Sequence, residues 1–127
     1  MLQELKPGLT GTAETVVRET NTALAMGSGS LRVFATPCMV ALMEQAACNA
    51  VDPCFNDSES SVGTLVNITH DAATAPGKKV TATATLVEVE GRKLVFEVTA
   101  ADEDKQIGKG THERFIVNKE KFMAKLG

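Results

Sequence analysis

The residues able to do chemistry in this sequence are few: Thr36, Glu44, His70 and His112, with Arg114 two positions beyond the last. Glu44 carries the most information. It lies in the run from Pro37 to Val51, where nearly everything else is apolar or small, and a helix that is apolar almost all round is normally a buried one. At helical spacing its neighbours Val40, Ala41, Ala47 and Cys48 offer no partner for a charge, so any partner must come from elsewhere in the chain. A carboxylate carried into an apolar core becomes basic enough for general-base or nucleophilic work, and that is the chemistry expected of Glu44. The plainer alternative is a structural hydrogen bond.

Thr36 and Glu44 are eight residues apart, about 12 Å of helical rise, so their side chains cannot meet within one subunit. Either a substrate bridges them or a second subunit supplies one of them. The start of the same helix offers unpaired N–H groups and the positive end of a dipole, suited to polarising a carbonyl oxygen. A carboxylate, a hydroxyl, an imidazole and aimed N–H groups together fit acyl transfer to water. Two histidines without a second ligand at helical spacing are too few for the usual metal sets, and no metal is expected. Cys38 near the helix start could form a nucleophilic pair with His70, although a small core cysteine is the commoner outcome.

These groups need elements to position them. Leu9 to Val17, rich in Thr and Val, reads as a first strand. Thr36-Pro37 opens the long helix with a hydroxyl able to cap it and a proline where a missing N–H costs nothing, and Asp52-Pro53 closes it near Val51. The rest reads as strands. Ser61 to Asp71 places Val62, Thr64, Val66, Ile68 and His70 on one face. After the turn Ala75-Pro-Gly-Lys78, the stretch Val80 to Val89 changes the parity of its apolar residues, which suggests a bulge. Leu94 to Asp102 and Ile107 to Val117 follow, separated by turns at Glu90-Gly-Arg92 and Asp102 to Lys105. Asn118 can cap a short terminal helix with Phe122 and Leu126 facing inward. Gly27-Ser-Gly-Ser30 reads as a flexible loop without the strand and Gly-Lys-Ser/Thr ending of a phosphate-binding loop.

One strand, one long helix, four consecutive antiparallel strands and a tail helix make an α+β arrangement, with a curved sheet wrapped around a single central helix. The length fits one domain over residues 1–127. Exposed sheet edge and leftover apolar face favour a homodimer with two-fold symmetry, with association of two dimers left open. A net charge of −3, no basic stripe and no Tyr or Trp argue against nucleic acid. The N-terminus lacks the apolar stretch of a signal peptide and no apolar run is long enough to span a bilayer. Cys38, Cys48 and Cys54, an odd count without Cys-x-x-Cys spacing, fit a reducing compartment, so a cytoplasmic protein is expected.

Three segments carry a resemblance: Val33 to Ala47, with Thr36, Pro37 and Glu44; Ser61 to Gly77, with Val62-Gly63-Thr64 and Thr69-His70; and Gly110 to Val117, with His112 and Arg114. Together they resemble the hotdog-fold acyl-CoA thioesterases, most closely the fluoroacetyl-CoA thioesterase-like branch, over nearly the whole chain. The resemblance implies an acyl-CoA substrate held at a dimer interface, with Thr36, Glu44 and His70 as the catalytic triad and Glu44 as base or nucleophile. It implies that Gly63 lies against the substrate, where a missing side chain permits close approach, and that Arg114 supports the site or the coenzyme phosphates. No separate cofactor is implied, coenzyme A being part of the substrate. Lys78, Lys79, Arg92 and Lys109 are candidate phosphate contacts, with solvated surface charge as the default. The stretch Ala23 to Leu31, expected to cover the acyl pocket, is small and contains no aromatic residue, so fluoroacetyl specificity does not carry over with the resemblance.

Two other functions compete with thioester hydrolysis. A hotdog hydratase or dehydratase usually pairs an Asp with a His on one helix, and no histidine lies between Pro37 and Val51. An acyl-CoA binding module without turnover is the non-enzymatic alternative, ranked lower because Thr36, Glu44 and His70 are all present.

Overall fold

Pro37 and the Asp52-Pro53 pair bracket the longest helix as expected. The computed structural model describes residues 2–127, and in it the chain runs β1 (Thr10–Val16), a 3-10 turn (Glu19–Asn21), α1 (Ala23–Met26), α2 (Thr36–Val51), a second 3-10 turn (Asp52–Cys54), β2 (Glu59–His70), β3 (Lys79–Glu90), β4 (Lys93–Ala101), β5 (Gln106–Asn118) and α3 (Lys119–Ala124). Among the described residues the strands form one antiparallel sheet in the order β1-β3-β4-β5-β2. The sequence order of strands is therefore not their spatial order. β2 pairs with β5, not with its successor β3, so the Ala75–Lys78 turn ends a crossing connection and makes no hairpin.

One face of α2, made of Met39, Leu42, Met43, Ala46, Ala47, Ala50 and Val51, is buried, and the spacing of three and four residues is that of a single helical stripe. It packs on the inward residues of the sheet, among them Val80, Ala82, Ala84 and Leu86 of β3 and Leu94, Phe96, Val98 and Ala100 of β4. Burying each of the larger side chains contributes roughly 1.5–3 kcal/mol. The contact with β1 is closer still, because a Cβ on Gly11 would collide with the backbone of Ala46 and Ala50. Any side chain at position 11 would push the helix off the sheet.

The parity change in β3 is a bulge between Leu86 and Glu88, as expected. A second bulge, which the alternation did not reveal, lies in β2 between Gly63 and Leu65. Thr64 is the extra residue, and it reverses the facing of everything before it. Paired residues share a face of the sheet, so Val66, Ile68 and His70, opposite His112, Gly110 and Gly108, point inward, while Val62, opposite Phe115, points outward. Gly63 opposite Arg114 takes the inner face instead. The expected single face for Val62 through His70 is thus corrected at its first members.

Asn118 caps α3 through its side chain, which accepts from the Lys121 N–H. Phe122 and Leu126 remain 37% and 70% exposed, so this helix does not turn them into the core. Gly27, in the left-handed region at φ 71°, ends α1, which makes the expected loose loop a capped turn.

Candidate active site

The polar residues gather in two clusters at different heights along α2. At its start, Ala35 is the cap and Thr36 the first helical residue. The Thr36 hydroxyl is therefore not used for capping, contrary to expectation, and lies 2.7 Å from Nδ1 of His70, the last residue of β2. Burial pushes the His70 imidazole below its ordinary pKa, against the opposing charge of Asp71, so the ring is neutral near pH 7. Among the described residues its Nε2 is buried without a hydrogen-bond partner. The pair opens on a cavity of about 240 Å³ whose walls include Ala23, Val33, Phe34 and Ala72. Ala23, Ser28, Val33 and Phe34 form one wall of it, where Thr22 bridges Phe34. The aromatic missing from Ala23 to Leu31 is thus supplied by Phe34, just outside that stretch.

The helix start offers fewer N–H donors than expected. Pro37 has none, and those of Cys38 and Met39 donate to Ala35 O at 3.1 and 3.0 Å. At most the Thr36 N–H remains. Burial pushes the Cys38 thiol up, not down, and Thr36 is the residue bonded to His70, so the nucleophilic cysteine finds no support.

Glu44 lies two turns further on, at the border of the buried stripe. It is 38% exposed at the side chain, which corrects the expectation of a carboxylate sealed in the core: α2 buries one face only, and Val40, Ala41, Glu44, Gln45 and Cys48 lie beyond it. Its partner does come from elsewhere in the chain. Arg114 Nη1 donates to Glu44 Oε2 at 3.3 Å. The guanidinium itself is buried, its side chain 7% exposed, with Nε donating to Ser61 Oγ at 2.8 Å and Nη2 to Ser61 O at 2.9 Å. Its Nη1 also lies 3.2 Å from His112 Nε2. Gly63 stands against this group: a Cβ there would be 2.5 Å from Glu44 Oε2, 3.3 Å from His112 Cε1 and 3.4 Å from Arg114 Nη1.

Of the expected residues, the structure brings Thr36 to His70, and Glu44 to Arg114 and Gly63, leaving the two groups separated along α2 within one chain. Ser61 was missed. Only the pairing of β2 with β5 places it beside Arg114, 53 residues away, and no local pattern announces that. Lys78 is paired with Asp104 and Lys79 with Glu14, the ordinary fate of surface lysines. Arg92 lines a separate cavity with Lys121 and Lys125.

The model of the family described as fluoroacetyl-CoA-specific thioesterase matches residues 17–120. A fluoroacetyl-CoA thioesterase from Streptantibioticus cattleyicolor is 51% identical over 94 residues, 74% of this chain and 68% of the relative. A crystal structure of a mutant fluoroacetyl-CoA-specific thioesterase superposes with a TM-score of 0.91 at 41% identity, over 98% of this chain and 96% of the other. A thioesterase superfamily member from Thermus thermophilus superposes at 0.89 with 30% identity, over 98% and 93%.

Proposed function

The chain belongs to the fluoroacetyl-CoA-specific thioesterase family and is an acyl-CoA thioesterase of hotdog fold; from that premise we propose that it cleaves a short acyl-CoA with Thr36, Glu44 and His70, Gly63 and Arg114 contributing to the same site. The observation that carries this reading is the Thr36 Oγ1 to His70 Nδ1 contact at 2.7 Å, on a cavity of about 240 Å³, with the opposite ring nitrogen buried and unpartnered. A neutral imidazole held against the Thr36 hydroxyl can orient that hydroxyl and accept its proton. Glu44 supplies the negative charge for attack on the thioester carbonyl, directly or through a water, and the buried Arg114 fixes its direction. In the direct route the carbon–sulfur bond breaks as the Glu44 anhydride forms, and a water then opens the anhydride. In the other route Glu44 takes a proton from the attacking water. In both, one water supplies the oxygen of the free acid and the proton taken up by the coenzyme A thiolate. We propose no resident cofactor, coenzyme A entering as part of the substrate and leaving as the free thiol.

Because Thr36 and Glu44 are about 12 Å apart along one helix, we propose that each site combines the Thr36–His70 pair of one protomer with Glu44 of a second copy in a homodimer. Support comes from the free edge of β2, where Leu65 and Val66 are each 42% exposed, and from the uncovered side of α2. We propose one hotdog domain over residues 1–127. A cytoplasmic location is our reading of the three free cysteines; among the described residues no helix is long and apolar enough to cross a membrane.

The decisive measurement is free-thiol release from a panel of acyl-CoAs that includes acetyl- and fluoroacetyl-CoA, for wild type, Glu44→Gln and Thr36→Ala. Glu44→Gln is expected to lose at least about 100-fold in kcat while the chain stays folded and dimeric by light scattering. Equal rates for wild type and Glu44→Gln refute the assignment, and a folded monomer with full activity refutes the shared site. Loss of enoyl absorbance without thiol release identifies a hydratase instead. After a single turnover in oxygen-18 water, label in the Glu44 carboxylate identifies direct attack through an anhydride opened at the Glu44 carbonyl.

A further inference from the structure

We propose that His112 is a positioning residue of this thioesterase: its ring ties the β2 bulge that carries Gly63 to the guanidinium that aims Glu44. The proposal rests on the roles given above to Glu44 and Gly63. His112 is 1% exposed and lies against Phe96 with ring centroids 6.0 Å apart, so its orientation is fixed by packing before any polar contact is counted. Its two nitrogens then meet partners of opposite kind. Nδ1 is 2.8 Å from Leu65 O, and a carbonyl only accepts, so Nδ1 carries the proton. Nε2 is 3.2 Å from Arg114 Nη1, and a guanidinium only donates, so Nε2 presents its lone pair.

Both neighbours therefore demand the same neutral tautomer. Burial also favours the uncharged ring, and the adjacent guanidinium acts in the same direction against the pull of the Leu65 carbonyl. Leu65 is the residue at which β2 resumes its pairing after the bulge at Thr64. Holding its carbonyl fixes where the bulge ends, and with it the Gly63 backbone that faces Glu44. On the other side, the Nη1 that His112 receives is the same nitrogen that donates to Glu44 Oε2. One imidazole thus sets two of the surfaces between which the thioester must fit, without touching the reacting atoms itself.

Three substitutions separate the two bonds. In His112→Asn the amide nitrogen occupies the Nδ1 position and can keep the bond to Leu65, while the contact with Arg114 is lost. In His112→Gln the amide oxygen reaches the Nε2 position and can keep Arg114, while Leu65 is released. His112→Phe keeps the packing on Phe96 and removes both. The expected result is a kcat for His112→Phe reduced about 10- to 100-fold with KM changed by less than about threefold, and intermediate kcat values for the Asn and Gln variants. Imidazole nitrogen-15 shifts of the wild-type protein are expected to show the Nδ1–H tautomer at neutral pH. A folded His112→Phe variant with wild-type kcat, alongside an inactive Glu44→Gln, overturns the proposal and leaves the catalytic assignment standing. Retained activity in Glu44→Gln brings down that assignment instead. Should His112→Phe not fold, the wild-type spectrum still decides, since an Nε2–H tautomer is incompatible with both contacts and a charged ring with the one to Arg114.

Discussion

Gly63→Ala is the substitution whose consequences follow most directly from the coordinates. The new methyl group would lie 2.5 Å from Glu44 Oε2, where ordinary contact begins at 3.4 Å, so the two must separate by about 0.9 Å. The carboxylate is the end of a flexible, half-exposed side chain and is the part that yields. Moving it by that amount breaks its alignment with Arg114 Nη1, now 3.3 Å away. A misplacement of about 1 Å at a reacting group costs on the order of 100-fold in rate, about 2.7 kcal/mol of barrier. Stability responds differently. Gly63 is not among the glycines with positive φ, so alanine suits its backbone and gains about 0.4–1 kcal/mol by restricting the unfolded chain. Loss of an ion pair whose carboxylate is 38% exposed costs about 1 kcal/mol after allowance for solvent screening. The two nearly cancel, and the denaturation midpoint is expected to stay within about 5 °C of wild type. The assay is kcat from thiol release beside thermal unfolding, for Gly63→Ala alone and combined with Glu44→Gln. If the methyl acts by displacing Glu44, adding it to Glu44→Gln changes kcat little. A Gly63→Ala enzyme with wild-type kcat refutes the reasoning.

The remaining predictions concern pH and the loop that follows His70. The proposed role of His70 requires a neutral ring, whose pKa burial lowers from 6.5, so kcat/KM is expected to rise with pH along an acid limb below pH 6.5 and then level. Asp71→Asn removes the charge that favours the imidazolium, and pH–rate profiles should show the limb displaced to still lower pH; an upward displacement contradicts the assignment. Asp102, 1% exposed at the side chain, accepts from Thr74 Oγ1 at 2.8 Å and from Lys105 Nζ at 2.9 Å, tying the loop after His70 to the β4–β5 turn. The Lys105 ammonium holds its carboxyl far below the usual carboxylate range, assisted by backbone N–H groups and Thr74 against burial. This contribution is complete above the unfolded value of 3.8 and is lost as pH falls through the folded one. Asp102→Asn is therefore expected to cost about 2 kcal/mol near pH 7, read by thermal unfolding, with the difference from wild type shrinking below pH 3.8.

Much of this protein was readable in one dimension. The helix from Thr36 to Val51, the bulged β3, the hairpin turns and the Asn118 cap follow from proline placement, alternation and capping, each set by residues a few positions apart. The candidate residues were also nameable, because a carboxylate in an apolar run and a threonine at a helix start stand out by type alone. Which groups meet was not. The order β1-β3-β4-β5-β2 depends on closing contacts between distant segments, and local periodicity carries no record of it. That order puts Ser61 on Arg114 and the Thr64 bulge puts Gly63, not Val62, beside Glu44. The exposure of Glu44 was decided the same way: its flanking residues are apolar, yet α2 turns only one stripe to the sheet, and a buried guanidinium from β5 became its partner. The types of group available are set residue by residue in the sequence; folding decided the distances between them, because distance is a property of pairs that only the assembled sheet brings together.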